Sequence, residues 1–324
     1  MYFKKNSKFY HGITFHHFHD DKIYRRSQGS ISKDEFYKLI NFIGRKNILN
    51  ANIFFDKFKQ NKLKENEICL TFDDGIKDQI DIALPILEDL KIKSFFFVYT
   101  SMFEGKPDNL EVFRYFRNNI FNSIEEFYIN FYKVLNKDLY NFFNFNKEII
   151  SKTKIKFPFY NIEDIKFRLV RDKYLKKEEY EKNMFEMMRE KNFEYQKYFS
   201  NIFFDKNDLV SLHSLGHIIG LHSHNHPTLL ENLSYDEQKS EYINSISIFS
   251  NILNISKNEI KTMSHPNGSY NNYTLKILNE LGIELGFKQI MQIEPEKGMK
   301  KINNSKLEIA REDHAIIMNK IRIN

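Results

Sequence analysis

Tryptophan is absent from this 324-residue chain, and cysteine occurs once, as Cys69. A single cysteine excludes an internal disulfide and fits a reducing compartment. Long apolar runs are missing too. No stretch approaches the roughly 18 residues that cross a bilayer, and mean hydropathy is -0.54, so no transmembrane segment is expected. The basic N-terminus, MYFKKNSKFYHG, is followed by neither an apolar run nor a small-residue cleavage site. A secretory leader is therefore not expected, and the cytoplasm is the expected location. Charge is not segregated. The 49 Lys and Arg residues are interleaved with 43 Asp and Glu, giving +6, as in KKEEYEKNMFEMMREK. That pattern reads as solvated helix faces and not as a nucleic-acid surface. The 32 Phe residues and the missing Trp read as codon bias of an AT-rich genome and carry no functional information.

What is present is a core. Hydrophobic residues make up 41% of the chain, enough for one large domain or a domain with a sizeable insertion. Gly12 to Phe15 reads as a short strand running into His16, His17 and His19. Ser32 with Glu35 predicts a capping box and a helix to about Ile43. Glu67 to Phe72 reads as a buried strand, Ile76 to Leu90 as a helix that Pro85 kinks or divides, and Ser94 to Tyr99 as the next buried strand. Strand, helix and strand in that order imply a parallel α/β unit.

From Lys106 to Lys206 glycine all but vanishes, Phe, Tyr, Lys and Glu dominate, and Pro158 is the one punctuation after Pro107. This segment reads as a helical insertion, with its clearest helix over 172–200. The α/β pattern resumes at Ile218 to Leu221. Ser234 with Glu237 predicts a cap for a helix to about Leu253. A short strand is expected around Met263, a helix over Tyr270 to Leu281 stopped by Gly282, a strand over Ile283 to Phe287 and a last one over Leu307 to Ala310.

Two segments carry chemistry. Thr71-Phe72-Asp73-Asp74-Gly75 puts two adjacent carboxylates at the C-terminal end of an apolar strand, where they are costly unless neutralised. In parallel α/β folds that end of the sheet gathers active sites. The alternative is a plain turn that ends a strand. His222-Ser223-His224-Asn225-His226-Pro227 places histidines four apart, a spacing that lets two share one metal. The alternative is a polar loop. Two His and one carboxylate with water at the open position make a catalytic zinc arrangement. Asp74 would supply the carboxylate, Asp73 would act on the water, and His224 would point away or make an outer contact.

Together these segments resemble the polysaccharide deacetylase family, the NodB-type carbohydrate esterase family 4. Thr71 to Gly75 match its TFDDG motif, and His222, Ser223 and His226 match its H-[ST]-x-x-H motif, with Pro227 following. The resemblance implies an α/β fold, an irregular (β/α) barrel with a large helical insertion. The barrel would be discontinuous, 1–105 and 207–324, with 106–206 as insertion or cap. It implies a metal held by Asp74, His222 and His226, with Asp73 as general base, and hydrolysis of an N-acetyl group on an amino sugar. The cofactor is expected to be one divalent ion, zinc first, with cobalt, nickel or manganese as alternatives.

The third family motif is altered. Ser264 stands where the family has Arg and Asn267 where it has an aromatic, while Pro266, Gly268, Tyr270 and Asn271 are family-like. A backbone N–H near Asn267 is the expected oxyanion donor, and Arg311 is an alternative source of the missing arginine. His314 is the expected general acid or else a surface histidine. Phe15-His16 resembles a first-strand aromatic-His pair, with His16 at the mouth of the site. His265 is either a site residue or a loop residue. The expected partner is an N-acetylated amino sugar or surface-glycan precursor, with peripheral membrane contact as an option and no nucleic acid. Two other functions stay open: hydrolysis of another non-peptide C–N bond, of the cyclic amide or imide type, and a non-catalytic carbohydrate-binding relative.

Overall fold

The computed structural model describes residues 11–156, 160–288 and 305–322. Pro158 and the basic residues ahead of His11 lie outside them. Two compact units emerge. The first comprises the described parts of 1–18, 31–108 and 203–324, and the second is 19–30 with the described parts of 109–202. The segment 19–30, expected in the barrel, goes with the helical unit. There Arg114 donates to Ser27 Oγ at 2.9 Å and to the Gln28 carbonyl at 3.1 Å, and Arg25 donates to the Phe121 carbonyl at 3.1 Å.

In the first unit seven strands form one parallel sheet: β1 (Gly12–Phe15), β2 (Cys69–Asp73), β3 (Phe95–Val98), β4 (Ile218–Leu221), β5 (Thr262–Ser264), β6 (Leu285–Phe287) and β7 (Arg311–Asp313). Their spatial order is β6-β5-β4-β3-β2-β1-β7. Phe287 also forms a parallel bridge with Ile309, just ahead of β7. The two edges therefore nearly meet, giving a nearly closed barrel. The last strand sits later than its hydrophobic run, because pairing with β1 begins at Gly12 opposite Arg311. Leu307 to Ala310 is instead a lead-in that joins the β6 edge.

Alternation along the strands sorts the side chains. Facing inward, Cys69, Phe95, Phe97, Leu285 and Phe287 pack with Ile309 and with Ala51 and Phe54 of the helix Ala51–Lys59. That helix closes the N-terminal end of the barrel, where the Ala51 N–H donates to the Lys93 carbonyl. Facing outward, Phe15, Phe72 and Phe96 occupy paired positions on β1, β2 and β3. Their rings stack at 5.2 and 4.8 Å, and Phe36 of the helix Lys33–Ile43 meets them edge-on. Ser32 and Glu35 cap that helix reciprocally, as do Ser234 and Glu237 at Tyr235–Leu253. Pro85 sits in the first turn of Leu84–Asp89, directly after a π-helical turn at Gln79–Ala83. It divides the run because its ring cannot take part in the preceding ladder.

The second unit is helical. Its rings, among them Phe113, Phe116, Phe127, Phe131, Phe167 and Tyr180, are buried. The helix expected over 172–200 is shorter, Lys177–Glu190. Asn192 takes a left-handed φ of 52°, and the Phe193 N–H turns back to the Met188 carbonyl at 2.8 Å, which terminates the helix in the manner of a Schellman turn.

Barrel closure depends on close backbone approach at Gly286. A Cβ there would stand 2.8 Å from both the Cα and the carbonyl oxygen of Leu307, atoms that cannot yield. Gly286→Ala is expected to cost about 1–3 kcal/mol, the range for overpacking, measured by urea unfolding. An unchanged midpoint would mean that the seam between β6 and the lead-in to β7 does not contribute to stability.

Candidate metal and hydrolytic site

The polar residues of the two chemistry-bearing segments converge at the C-terminal ends of β2 and β4. Asp74 Oδ1 lies 3.1 Å from His222 Nε2 and 3.3 Å from His226 Nε2. All three residues are buried, and among the described residues they form the group able to hold a metal. The second nitrogen of each imidazole is already committed. His222 Nδ1 is 2.9 Å from the Ser264 carbonyl, and His226 Nδ1 is 2.7 Å from Asp108 Oδ2. A carbonyl and a carboxylate only accept, so both Nδ1 atoms carry the proton. Each neutral ring then turns a bare Nε2 toward an anionic oxygen. Three electron-rich atoms crowded out of water repel one another unless a cation stands among them. Burial alone would raise the Asp74 carboxyl, but the imidazoles of His222, His226 and His16 around it hold it far below the usual carboxylate range. Two imidazoles and one carboxylate are also the donor set of a catalytic divalent site.

The backbone is bent to make this convergence. Asp74, Ser223 and His226 have φ of 77°, 64° and 53°, a region costing about 1–3 kcal/mol per residue when not glycine. Asp74 is held by its N–H donating to the Phe97 carbonyl at 3.0 Å. The histidine loop is held by Glu241, whose carboxylate accepts from the N–H of His224 at 2.9 Å and of Asn225 at 2.7 Å. It also accepts from the Asn225 side chain at 2.6 Å. His224 points away from the other two histidines, with Nδ1 2.9 Å from Thr100 Oγ1.

Asp73 faces into the barrel beside the trio and is gripped by Arg311 from β7. Arg311 donates to Asp73 Oδ1 at 2.8 Å and Oδ2 at 2.7 Å. It also donates to Thr71 Oγ1, Ser264 Oγ and the Lys288 carbonyl. Ser264 in turn donates to Asp73 Oδ2 at 3.2 Å. The arginine absent from the third motif is thus supplied from another strand, and Ser264 is small enough to let it pass. Gly12 makes the same allowance, since a Cβ there would stand 2.8 Å from Arg311 Cγ. Burial pushes the Asp73 carboxyl up, but the Arg311 charge, with His222 and His16, outweighs it and leaves the pKa lowered.

The remaining expected residues fall in different places. His16 lies in the field of Asp74, Asp73 and Asp313, and burial keeps its imidazole below the ordinary value despite them. His314 is buried at the start of the helix His314–Arg322, stacked on Phe15 at 5.1 Å with Nδ1 3.0 Å from the Thr14 carbonyl. These contacts put its ring against the outward aromatic layer of β1. Asn267 follows Pro266 with a left-handed φ of 53° and an exposed side chain. His265 is structural: it stacks on Tyr270 at 4.1 Å, its Nε2 is 2.9 Å from the Leu307 carbonyl, and burial pushes its pKa down to about 3. The three N-terminal histidines are not gathered into one ligand group among the described residues. Sequence reasoning missed Asp108 and Glu241. Asp108 reads as part of a Lys-Pro-Asp-Asn turn and Glu241 as one more helix carboxylate.

The Arg311–Asp73 pair has a signature in pH. Asp73 is lowered in the folded protein, so its contribution is present above the unfolded value of about 4 and is lost as pH falls through the folded one. Arg311→Met leaves a buried carboxylate without its main partner, and the loss is expected to be about 3–5 kcal/mol at pH 7. Its folded pKa then rises, so the penalty shrinks toward acid pH. Urea unfolding of metal-free protein at pH 7 and at about pH 4.5 measures this. A penalty that grows toward acid would contradict the assignment.

The sequence profile described as polysaccharide deacetylase matches residues 60–122 and 148–286, more than half of the chain. No curated protein matches the sequence. Among solved structures, the chain is similar to the Streptococcus pyogenes deacetylase PplD in complex with acetate, at 16% identity and a TM-score of 0.55, covering 93% of this chain and 90% of that one. It is similar to IcaB from Ammonifex degensii, at 12% and 0.52, covering 95% and 92%. The de-N-acetylase from Aggregatibacter actinomycetemcomitans gives 12% and 0.53, covering 94% and 95%. At these identities the likeness speaks for the fold, and the profile speaks for descent: the chain belongs to the polysaccharide deacetylase family.

Proposed function

We propose that this chain is a metal-dependent N-deacetylase of an amino-sugar substrate, a polysaccharide or a surface-glycan precursor. The family acts on sugar N-acetyl groups, and its esterase-family-4 members are metalloenzymes. The observation that carries the reading is the convergence of two bare Nε2 atoms on Asp74 Oδ1. Zinc suits this set best, with cobalt, nickel or manganese as alternatives. A bound divalent ion supplies Lewis acidity toward the amide carbonyl and toward water.

The protein's own residues supply the rest. Water adds to the acetyl carbon, the C–N bond breaks, and the products are a free amine and acetate. Asp73 takes the proton from the attacking water. Its hydrogen bonds to Arg311 and Ser264 fix its direction and keep it ionised, ready to accept. The backbone N–H at Asn267, presented by the turn after Pro266, steadies the oxyanion that develops on the carbonyl. His314 returns a proton to the leaving amine. Its Nδ1 donates to the Thr14 carbonyl near the C-terminal end of β1. His16 suits substrate contact better, because burial lowers its pKa and keeps it neutral at pH 7. The reaction is placed in the cytoplasm as part of this proposal, and cell fractionation tests it.

Zinc-loaded protein is expected to release acetate from N-acetylglucosamine oligomers, and a chelator to stop it. Asp73→Asn is expected to lower kcat by about 10²–10⁴-fold with metal content unchanged. His314→Ala should lower kcat, whereas His16→Ala should mainly raise KM. Full activity in Asp73→Asn, or no acetate from any N-acetylated sugar by metal-loaded protein, would overturn the reading. The reverse pattern in the two histidine variants would exchange their roles.

A further inference from the structure

His222 and His226 face the same oxygen but are secured differently. His222 continues directly from β4, and its Nδ1 donates to a backbone carbonyl that no side-chain substitution removes. His226 lies four residues out, on a backbone with φ 53°. Tyr99 and Asp108 hold its ring. Tyr99 stacks on it at 5.4 Å and 25°, and Asp108 Oδ2 takes its Nδ1 proton at 2.7 Å. The same Tyr99 reaches back to Asp108, its hydroxyl accepting the Asp108 N–H at 3.0 Å. Tyr99 is fully buried, so this frame of ring, hydroxyl, backbone and carboxylate is closed.

A neutral imidazole carries its proton on either nitrogen, and the acceptor offered to one decides which is left bare. With Asp108 present, the proton stays on Nδ1 and Nε2 is the ligand. When the Asp108 carboxylate is removed, the balance shifts toward Asp74 Oδ1, an anionic acceptor 3.3 Å from Nε2. The proton then occupies the ligand nitrogen and has to be displaced before a metal binds. The carboxylate also makes the imidazole a stronger donor than a carbonyl would.

We propose that Asp108 is a positioning residue that commits His226 to Nε2 ligation and so governs how tightly the site retains a divalent ion, with Tyr99 positioning Asp108. The proposal rests on the metal reading above. Asp108 has no expected part in the acyl chemistry, so its effect is on metal retention.

Zinc affinity measured by competition with a chromophoric chelator tests it, on full-length protein whose fold is checked by circular dichroism. Asp108→Ala is expected to weaken zinc binding about 10–100-fold, the range for removing such an outer carboxylate. Asp108→Asn should weaken it less, since an amide oxygen still accepts but carries no charge. Tyr99→Phe, which keeps the ring stack and deletes only the hydroxyl, should shift affinity in the same direction by a smaller factor. If Asp108→Ala does not fold, the Asp108→Asn and Tyr99→Phe variants decide. Wild-type zinc binding with all variants within twofold of it would overturn the role of Asp108 alone. Wild-type protein that binds no zinc would instead overturn the metal site.

Discussion

Two imidazole nitrogens and one carboxylate oxygen are held together with nothing to neutralise them but a cation. That constraint organises the surrounding structure. Both Nδ1 atoms are spent on acceptors, so neither ring escapes by turning over. Asp74, Ser223 and His226 sit in left-handed backbone, and two of them are proposed ligands. Glu241, Thr100 and Tyr99 hold that backbone in place. Such strain persists only where the surroundings over-determine it, and here a strand end, a helix and a buried aromatic do so.

The second constraint is the buried Arg311–Asp73 pair. A buried ion pair gains little over an apolar pair of the same shape, because desolvation offsets its attraction. Its value here is positional. Both oxygens of Asp73 are engaged by Arg311, and Ser264 adds a third contact. The carboxylate therefore stays ionised and cannot swing toward the metal-facing trio. Two adjacent carboxylates acquire different roles from opposite surroundings: Asp73 faces a guanidinium, Asp74 faces imidazoles. The barrel accommodates the arrangement through Gly12, where a side chain would strike Arg311.

Much of this was legible because it is local in sequence. Thr71 to Gly75 and His222 to Pro227 are consecutive residues, and the hydrophobic runs before them are strands, one ending inside the first motif and one just before the second. The role of Arg311 was readable only as an alternative, since a salt bridge spanning 238 positions leaves no local trace. Asp108 was not readable at all: it lies 118 positions from His226 and looks like any turn residue. The last strand was placed early because Leu307 to Ala310 are the apolar residues, whereas the paired positions include Arg311 and Glu312, which a sequence pattern assigns to a surface. Burial of Arg311 is explained only by Asp73, and that partner is tertiary. Residues 19–30 group with the helical unit for the same reason, because Arg114, far along the chain, binds Ser27 and Gln28.

The central claim is that Asp74, His222 and His226 coordinate one divalent ion. X-ray absorption at the zinc edge, on zinc-loaded protein, tests it most directly. The account expects two imidazole nitrogens and carboxylate oxygen at about 2.0–2.2 Å, and loss of the imidazole signature when His222 and His226 are both replaced by Ala. A shell of oxygens without imidazole, or one unchanged by that double substitution, would contradict it.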